Sequence, residues 1–359
     1  MHRKMEETIG GSIVIGELAK GCKLCMKGAK MVLFITGLCT ANCFYCPLSK
    51  ERKNRDVIFA DEVKVNDIRE ALREAEYIEA EGTGITGGDP LIVFTRTIKA
   101  IKILKEHFGS SHHIHLYTNA MLLTIEKALK LKEVGLDEIR IHPTREEDWR
   151  KIKIAKQAGL KVGIEIPVIP GTFNSLKRKL KLAEKLKVDF ININELEFTP
   201  SNAMNLKIRG FKLKRTSLTA VEGSEEEALK VLNWALSNTN LNIHYCPSRL
   251  KDSVQLKNRL RRRALKVAKK YEKITDEGLL VKGIIEYEGN LIKLANEIKE
   301  KLGVMNDLIE ININKRRIEV SPEIALMLNS IKLPRKAKVF LIKEYPTEDR
   351  FEVFRIPLN

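Results

Sequence analysis

The chain has 359 residues, 43% of them hydrophobic and 31% charged, which is enough apolar content for a buried core and excludes a disordered chain. Its length suits one barrel-sized domain plus a smaller one. No stretch of about 18 uninterrupted apolar residues occurs, and Arg3 and Lys4 are not followed by a continuous apolar segment, so a cytoplasmic protein without a membrane span is expected.

The formal net charge of +17 is unevenly spread: residues 201–270 hold 16 Lys or Arg against 5 Asp or Glu. Two readings compete. One is a heat-adapted surface, since Lys, Glu and Ile dominate throughout; the other is binding of a polyanion such as RNA through residues 201–270. The six cysteines are clustered, which favours metal ligation over disulfides in a chain without a secretion signal.

Residues 1–29 form an N-terminal extension that ends in a CxxC pair, Cys22 and Cys25. Its candidate partners are His244 and Cys246, because NIHYCP reads as a strand ending in a turn and closure needs four ligands. Together the four could hold zinc or a second iron-sulfur cluster. Two unrelated thiol sites are the alternative.

Residues 31–47, MVLFITGLCTANCFYCP, read as a strand delivering a loop with Cys39, Cys43 and Cys46. Three thiolates at this CxxxCxxC spacing can converge on three irons of a cubic 4Fe-4S cluster and leave the fourth iron open. Structural zinc would want four closed ligands. From here apolar runs alternate with amphipathic segments as repeated βα units. Strands are predicted at 31–37, 83–87, 112–118, 137–142, 161–168 and 189–197, and helices at 65–80, 95–108, 124–134, 145–158 and 175–187. In parallel barrels the chemistry sits at the carboxyl ends of the strands.

The second strand ends in Gly87-Gly88-Asp89-Pro90, where glycines let backbone approach a ligand and a carboxylate can meet an ammonium. His113, His115 and Tyr117 share one face of the third strand, although such histidines are more often packed than ligating. Arg140 and His142 share a face of the fourth. An arginine inside a barrel needs an anionic partner. Glu165 interrupts the apolar fifth strand, and Asn192 and Asn194 share a face of the sixth, with Glu195 beside them. Two inward amides need polar company, which a ligand or a structural network could supply.

Residues 199–223 are basic and poorly periodic, and Asn202, Asn205, Arg209 and 212–215 are placed to cover the barrel mouth or meet substrate. A helix over 224–236 is expected to be capped by Ser224 with Glu227 in the capping box. A further helix opens at Pro247 and Ser248, with apolar Leu250, Val254, Leu260, Ala264, Val267 and Tyr271 opposite a basic face able to track phosphates. We therefore divide the chain into 1–29, a barrel over 30–200, a basic linker with helices over 201–273, and an α+β domain over 274–359. That last domain has the order βαββαβ plus one strand, which predicts a ferredoxin-like sandwich.

The cysteine pattern, with Tyr45 before its last cysteine, resembles that of the radical S-adenosylmethionine (SAM) superfamily. Within it, TGxCxxxCFYCP and TGGDP are most similar to an archaeal-type group related to pyruvate formate-lyase activating enzymes. The resemblance covers roughly residues 30–198 and implies a partial parallel (β/α)6 barrel. It further implies a 4Fe-4S cluster on Cys39, Cys43 and Cys46, and SAM bound by residues from among Tyr45, Gly87, Gly88, Asp89, Arg140, His142, Asn192 and Asn194. Gly87-Gly88-Asp89 is similar to the family's GGE motif, with Asp in place of Glu. The implied reaction is reductive cleavage of SAM to a 5′-deoxyadenosyl radical that takes a hydrogen from substrate, fed by a ferredoxin- or flavodoxin-type electron donor. The basic region and the C-terminal domain are not features of the activases. Three substrate readings follow: RNA or tRNA modification, a glycyl-radical-type activase or peptide-modifying enzyme, and a non-catalytic iron-sulfur binding protein.

Overall fold

The computed structural model describes residues 4–359 and divides into two compact units, with the division between Leu256 and Lys257. The basic stretch 201–270 is thus shared between both. Among the described residues no helix is long and apolar enough to cross a membrane.

The first unit opens with β1 (Met5–Glu7), β2 (Ile13–Ile15) and helix α1 (Lys20–Met26). It continues through β3 (Lys30–Phe34), the hairpin β4 (Ile58–Ala60) and β5 (Val63–Val65), α2 (Glu70–Tyr77), β6 (Gly82–Thr86), α3 (Phe94–Phe108), β7 (His113–Thr118) and α4 (Ile125–Glu133). Then come β8 (Glu138–Ile141), α5 (Lys151–Gln157), β9 (Lys161–Val168), α6 (Phe173–Lys185), β10 (Phe190–Glu195), α7 (Ala203–Ile208), α8 (Ser224–Asn238), β11 (Ile243–Cys246) and α9 (Ser248–Leu250). The sheet order is β1-β2-β11-β10-β9-β8-β7-β6-β3-β4-β5. From β3 through β11 the neighbours are parallel. The antiparallel pairs β1-β2 and β4-β5 continue the sheet beyond each end of that run. The sheet stays open, as a partial barrel does.

The helix-covered face of its strands is apolar: Ile139, Ile141, Ile164, Ile191 and Ile193 share that face and are all fully buried, while Arg140, Glu165 and Asn192 alternate onto the other. The helices supply the covering stripe. In α3 the buried residues are Thr97, Ala100, Ile101 and Leu104, a single face at helical spacing.

Three local details differ from the sequence-based expectation. The segment NIHYCP joins the barrel sheet as β11, a seventh parallel strand in register with β10 from Ile191↔Ile243 to Asn194↔Cys246. The helix expected over 65–80 shortens to α2, because the preceding residues pair as a hairpin. Gly223, at φ 84°, is the N-cap of α8, and Ser224 is its first residue. The Ser224 hydroxyl donates to Val168 O at 2.8 Å and accepts from Leu196 N at 2.9 Å, so it bridges the ends of β9 and β10 and forms no capping box.

The second unit runs α10 (Lys257–Val267), β12 (Lys273–Ile274), β13 (Leu280–Glu286), α11 (Leu291–Leu302), β14 (Ile309–Asn312), β15 (Arg317–Val320), α12 (Pro322–Met327), β16 (Lys338–Glu344) and β17 (Glu352–Pro357). Its strands pair antiparallel in the order β14-β15-β13-β16-β17. This is the ferredoxin-like arrangement with one added edge strand. Residues such as Ile285, Leu294, Ile298, Ile318 and Val339 form its apolar core.

A buried ion cluster accompanies that core. Lys282 Nζ lies 3.1 Å from Glu272, 2.8 Å from Glu319 and 2.8 Å from Glu344, and Arg317 lies 2.6 Å from Glu344. Burial works to raise the Glu319 carboxyl, but Lys282 and Arg317 override it and hold it at about 2 against an ordinary 4.5. A depressed carboxylate contributes stability above its unfolded value and loses it as pH falls toward its folded value. In the full chain, amide protection factors in β13 and β15 are therefore expected to fall as pH drops from 4.5 to about 2. Lys282→Ala, which leaves three carboxylates without their shared cation, should cost about 3–5 kcal/mol of the same protection at neutral pH.

Candidate active site

The apolar residues of β3 carry the chain to Gly37, whose N–H and C=O bond Arg55 O at 2.8 Å and Asn54 N at 3.0 Å. The loop beyond holds Cys39, Cys43 and Cys46, all half-buried. What positions it is the end of β6. Gly88 N donates to Thr36 O and Asp89 N to Leu38 O, both at 2.7 Å. A Cβ on Gly87 would lie 2.3 Å from Thr36 O, and one on Gly88 2.2 Å from Leu38 O. These glycines therefore allow close approach to the protein's own backbone, the segment leading into Cys39. Asp89 is fully buried, and its Oδ1 accepts from Leu91 N at 3.0 Å and Thr118 Oγ1 at 2.8 Å.

A cavity of about 680 Å³ opens beneath the loop at the carboxyl ends of the strands. Cys39, Cys43, Cys46, Tyr45, Gly87, Gly88, Arg140, His142, Asn192 and Asn194 line it, as do Cys22, Cys25, His244 and Cys246. Asp89 does not. Within the cavity Glu165 is the hub: its Oε1 accepts from Arg140 at 3.1 Å and Asn192 Nδ2 at 2.7 Å, and its Oε2 from Asn194 Nδ2 at 2.8 Å. Arg140 also donates to Glu138 Oε1 at 2.6 Å, Tyr117 Oη at 3.2 Å and Cys22 Sγ at 3.4 Å. Its anionic partners are thus two carboxylates of the chain, and Asn192 and Asn194 have their polar company in the same network. Glu195 is spent on Ser248, accepting from its N and Oγ at 2.8 and 2.9 Å.

Tyr45 reaches across the mouth. His142 Nδ1 lies 2.8 Å from the Glu165 carbonyl, so Nδ1 carries the proton and Nε2 accepts from Tyr45 Oη at 2.9 Å. Burial keeps His142 below its ordinary range, consistent with this neutral tautomer. The basic segment after β10 closes over the same loop: Asn202 Nδ2 donates to Tyr45 O at 3.1 Å, Phe211 stacks on Phe44, and Arg209 lies 4.5 Å from the Phe44 ring centroid. Asn205 and residues 212–215 do not line the cavity.

The thiols differ in setting. Burial pushes Cys39 and Cys43 up, opposed by the Ala41 N–H and by Tyr45 respectively. Burial likewise raises Cys22 against the pull of Arg140, and takes Cys246 to about 12 against the pull of Lys251. Among the described residues the one group of three His, Cys, Asp or Glu side chains with ligand atoms within 4.8 Å of one another contains no cysteine. A tetrahedral zinc site needs sulfurs about 3.8 Å apart, whereas a cubic cluster, with one thiolate per iron, spaces them more widely. The Cys39, Cys43 and Cys46 loop fits the cluster better than it fits a single ion. His244 is already occupied: Nε2 bonds Ser12 Oγ at 2.8 Å and Nδ1 bonds Asn192 Oδ1 at 3.3 Å.

Residues 33–144 match the family described as the radical SAM superfamily, and residues 278–358 match one described only as a domain of unknown function. A Methanocaldococcus jannaschii protein, provisionally named a glycyl-radical enzyme activating enzyme, is 42% identical over 360 residues, covering 95% of this chain and 93% of its own. The chain belongs to the radical SAM superfamily. Among solved structures, Streptococcus suis SuiB bound to its precursor peptide SuiA is 14% identical over 63% of this chain and 51% of its own, with a TM-score of 0.44. The methyltransferase TsrM from Kitasatospora setae, with tryptophan and a SAM analogue bound, is 11% identical over 66% of this chain and 52% of its own, with a TM-score of 0.40. The chain spans about half the length of both.

Radical SAM proteins use a 4Fe-4S cluster and SAM, and this one offers its three loop thiols beside that cavity. Glu165 had a signal in the sequence, a lone carboxylate in an apolar strand, but was given no site role. Lys30 had none: burial opposes its charge, but Cys25 and Tyr117 beside it raise its pKa. Gly88→Ala, by driving a Cβ into Leu38 O, should displace the cysteine loop; iron per chain after reconstitution is expected to fall below about half that of the unsubstituted radical SAM protein. Glu165→Ala, which takes one of two counter-ions from Arg140 and an acceptor from each of two amides, should cost about 1–3 kcal/mol in denaturant unfolding of the same protein.

Proposed function

We propose that this radical SAM enzyme holds its cluster on Cys39, Cys43 and Cys46 and SAM in the adjoining cavity, and that it acts on a protein substrate as an activase-type enzyme. The observation that carries the site is three half-buried thiols at the carboxyl end of β3, opening on a cavity in which Glu165 gathers Arg140, Asn192 and Asn194. When bound, the cluster and SAM supply a 5′-deoxyadenosyl radical on receipt of one electron from a ferredoxin- or flavodoxin-type donor.

The residues of the chain position and exclude. Gly87 and Gly88 hold the loop against β6. Tyr45, through His142, fixes the loop over β8 and β9. The segment from Asn202 to Phe211 covers its outer side, limiting water access where a reactive intermediate needs a dry site. The protein substrate is supported by the name of the 42% identical relative. Cys22, Cys25 and Cys246 are proposed as ligands of a second iron-sulfur cluster, with His244 excluded by its two hydrogen bonds.

An RNA substrate is the second reading, favoured by the basic density of residues 201–270. Part of that charge is used internally in the second unit, where Lys269 pairs with Glu310 at 2.6 Å and Lys270 with Asp307 at 2.9 Å.

The test is 5′-deoxyadenosine formation by anaerobically reconstituted full chain with reductant and SAM. The unsubstituted enzyme is expected to cleave SAM and Cys43→Ala to fall to background. Equal product from both would reject the site. Stimulation by a copurifying protein supports the activase reading. Stimulation by RNA, with affinity falling steeply with salt, would replace it with the second.

A further inference from the structure

The cysteine loop occupies one end of the lumen, and a different donor set lies at the other. His113 and Glu138 are the first residues of β7 and β8; parallel pairing sets His115 opposite Glu138. Strand alternation turns His113 and His115 to one face, and their ring centroids are 5.4 Å apart. His113 Nε2 lies 3.9 Å from Glu138 Oε2, and one ligand atom from each of the three residues falls within 4.8 Å of the other two.

All three side chains are buried, His113 at 5% exposure and His115 and Glu138 at 0%. Yet His113 Nε2, both nitrogens of His115 and Glu138 Oε2 have no hydrogen-bond partner. Each such orphan is costly, and native interiors seldom leave several facing one point.

We propose that His113, His115 and Glu138 form a divalent-cation site of zinc type, separate from the cysteine loop. Two imidazoles and one carboxylate are a donor set zinc accepts, with a water in the fourth position. The flanking groups suit that role. Glu138 Oε1 is held by Arg140 Nε at 2.6 Å, which aims Oε2 at the histidines. Arg140 has Glu165 as a second counter-ion, so it does not need both oxygens of Glu138. The Asp137 carboxylate lies 4.0 Å from His113 Nδ1, the side where a ligating histidine keeps an acidic neighbour. Helix α1 closes over the triad: a Cβ on Gly21 would lie 2.7 Å from His115 Nδ1. The ion would fasten β7 to β8 under that helix.

The test uses the full chain with its iron reconstituted, loaded with zinc sulfate and freed of excess by a chelating resin. About one zinc per chain is expected, with a nitrogen- and oxygen-only shell containing imidazole in zinc-edge X-ray absorption. His113→Gln should lower zinc per chain at least tenfold while iron per chain is unchanged. Independently of that variant's folding, thermal melting of the unsubstituted chain with added zinc or chelator provides a second readout, with a zinc-dependent rise in Tm expected. Zinc below a tenth of an equivalent, a shell containing only sulfur, or full retention in folded His113→Gln would overturn the site and leave buried waters as its occupants.

Discussion

A half-buried carboxylate, Glu165, is the constraint on which the lumen depends. It sits in β9 between β8 and β10, and it accepts from Arg140 on one side and from Asn192 and Asn194 on the other. An apolar residue in its place would take one of two counter-ions from Arg140, which keeps Glu138, and an acceptor from each of two amides. Because Arg140 goes on to Tyr117 and to Cys22 in α1, the same charge ties three strands to the helix that closes the lumen. The polar groups of the cavity are thus tied largely to one another around Glu165.

The loop itself depends on the absence of two side chains. Gly87 and Gly88 let the end of β6 press on Thr36 and Leu38, and the hydrogen bonds from Gly88 and Asp89 register the loop against the strand. Tyr45 then links it, through a neutral His142, to the Glu165 carbonyl. The cysteine loop and the lumen network therefore share one residue, its backbone serving one and its side chain the other. Placement of three sulfurs is inseparable from the packing behind them.

The second unit carries a comparable buried network of its own. Lys282 and Arg317 share Glu319 and Glu344 inside an antiparallel sheet, and each ion is compensated by more than one partner. Such clusters are costly to break and seldom cheaper than apolar packing, so this one stabilises a particular register more than it adds net stability. Its sheet order carries no activity in itself.

Much of this was legible in the sequence, and the division follows the range of the interactions. Period-2 and period-3.6 patterning, the CxxxCxxC spacing and the βαββαβ order of the C-terminal unit are local properties of the chain, and strands and helices appear close to where they were expected. The sequence by itself also determined the superfamily, because the three cysteines lie within eight residues of one another. Only tertiary structure decided what meets across the chain: that Arg140 finds Glu165, that β11 joins the barrel, that Ser224 bridges β9 and β10, and that His244 is taken by Ser12 and Asn192. Those contacts join residues up to 232 positions apart. No local pattern encodes them, since each depends on how the strands pack around a common lumen.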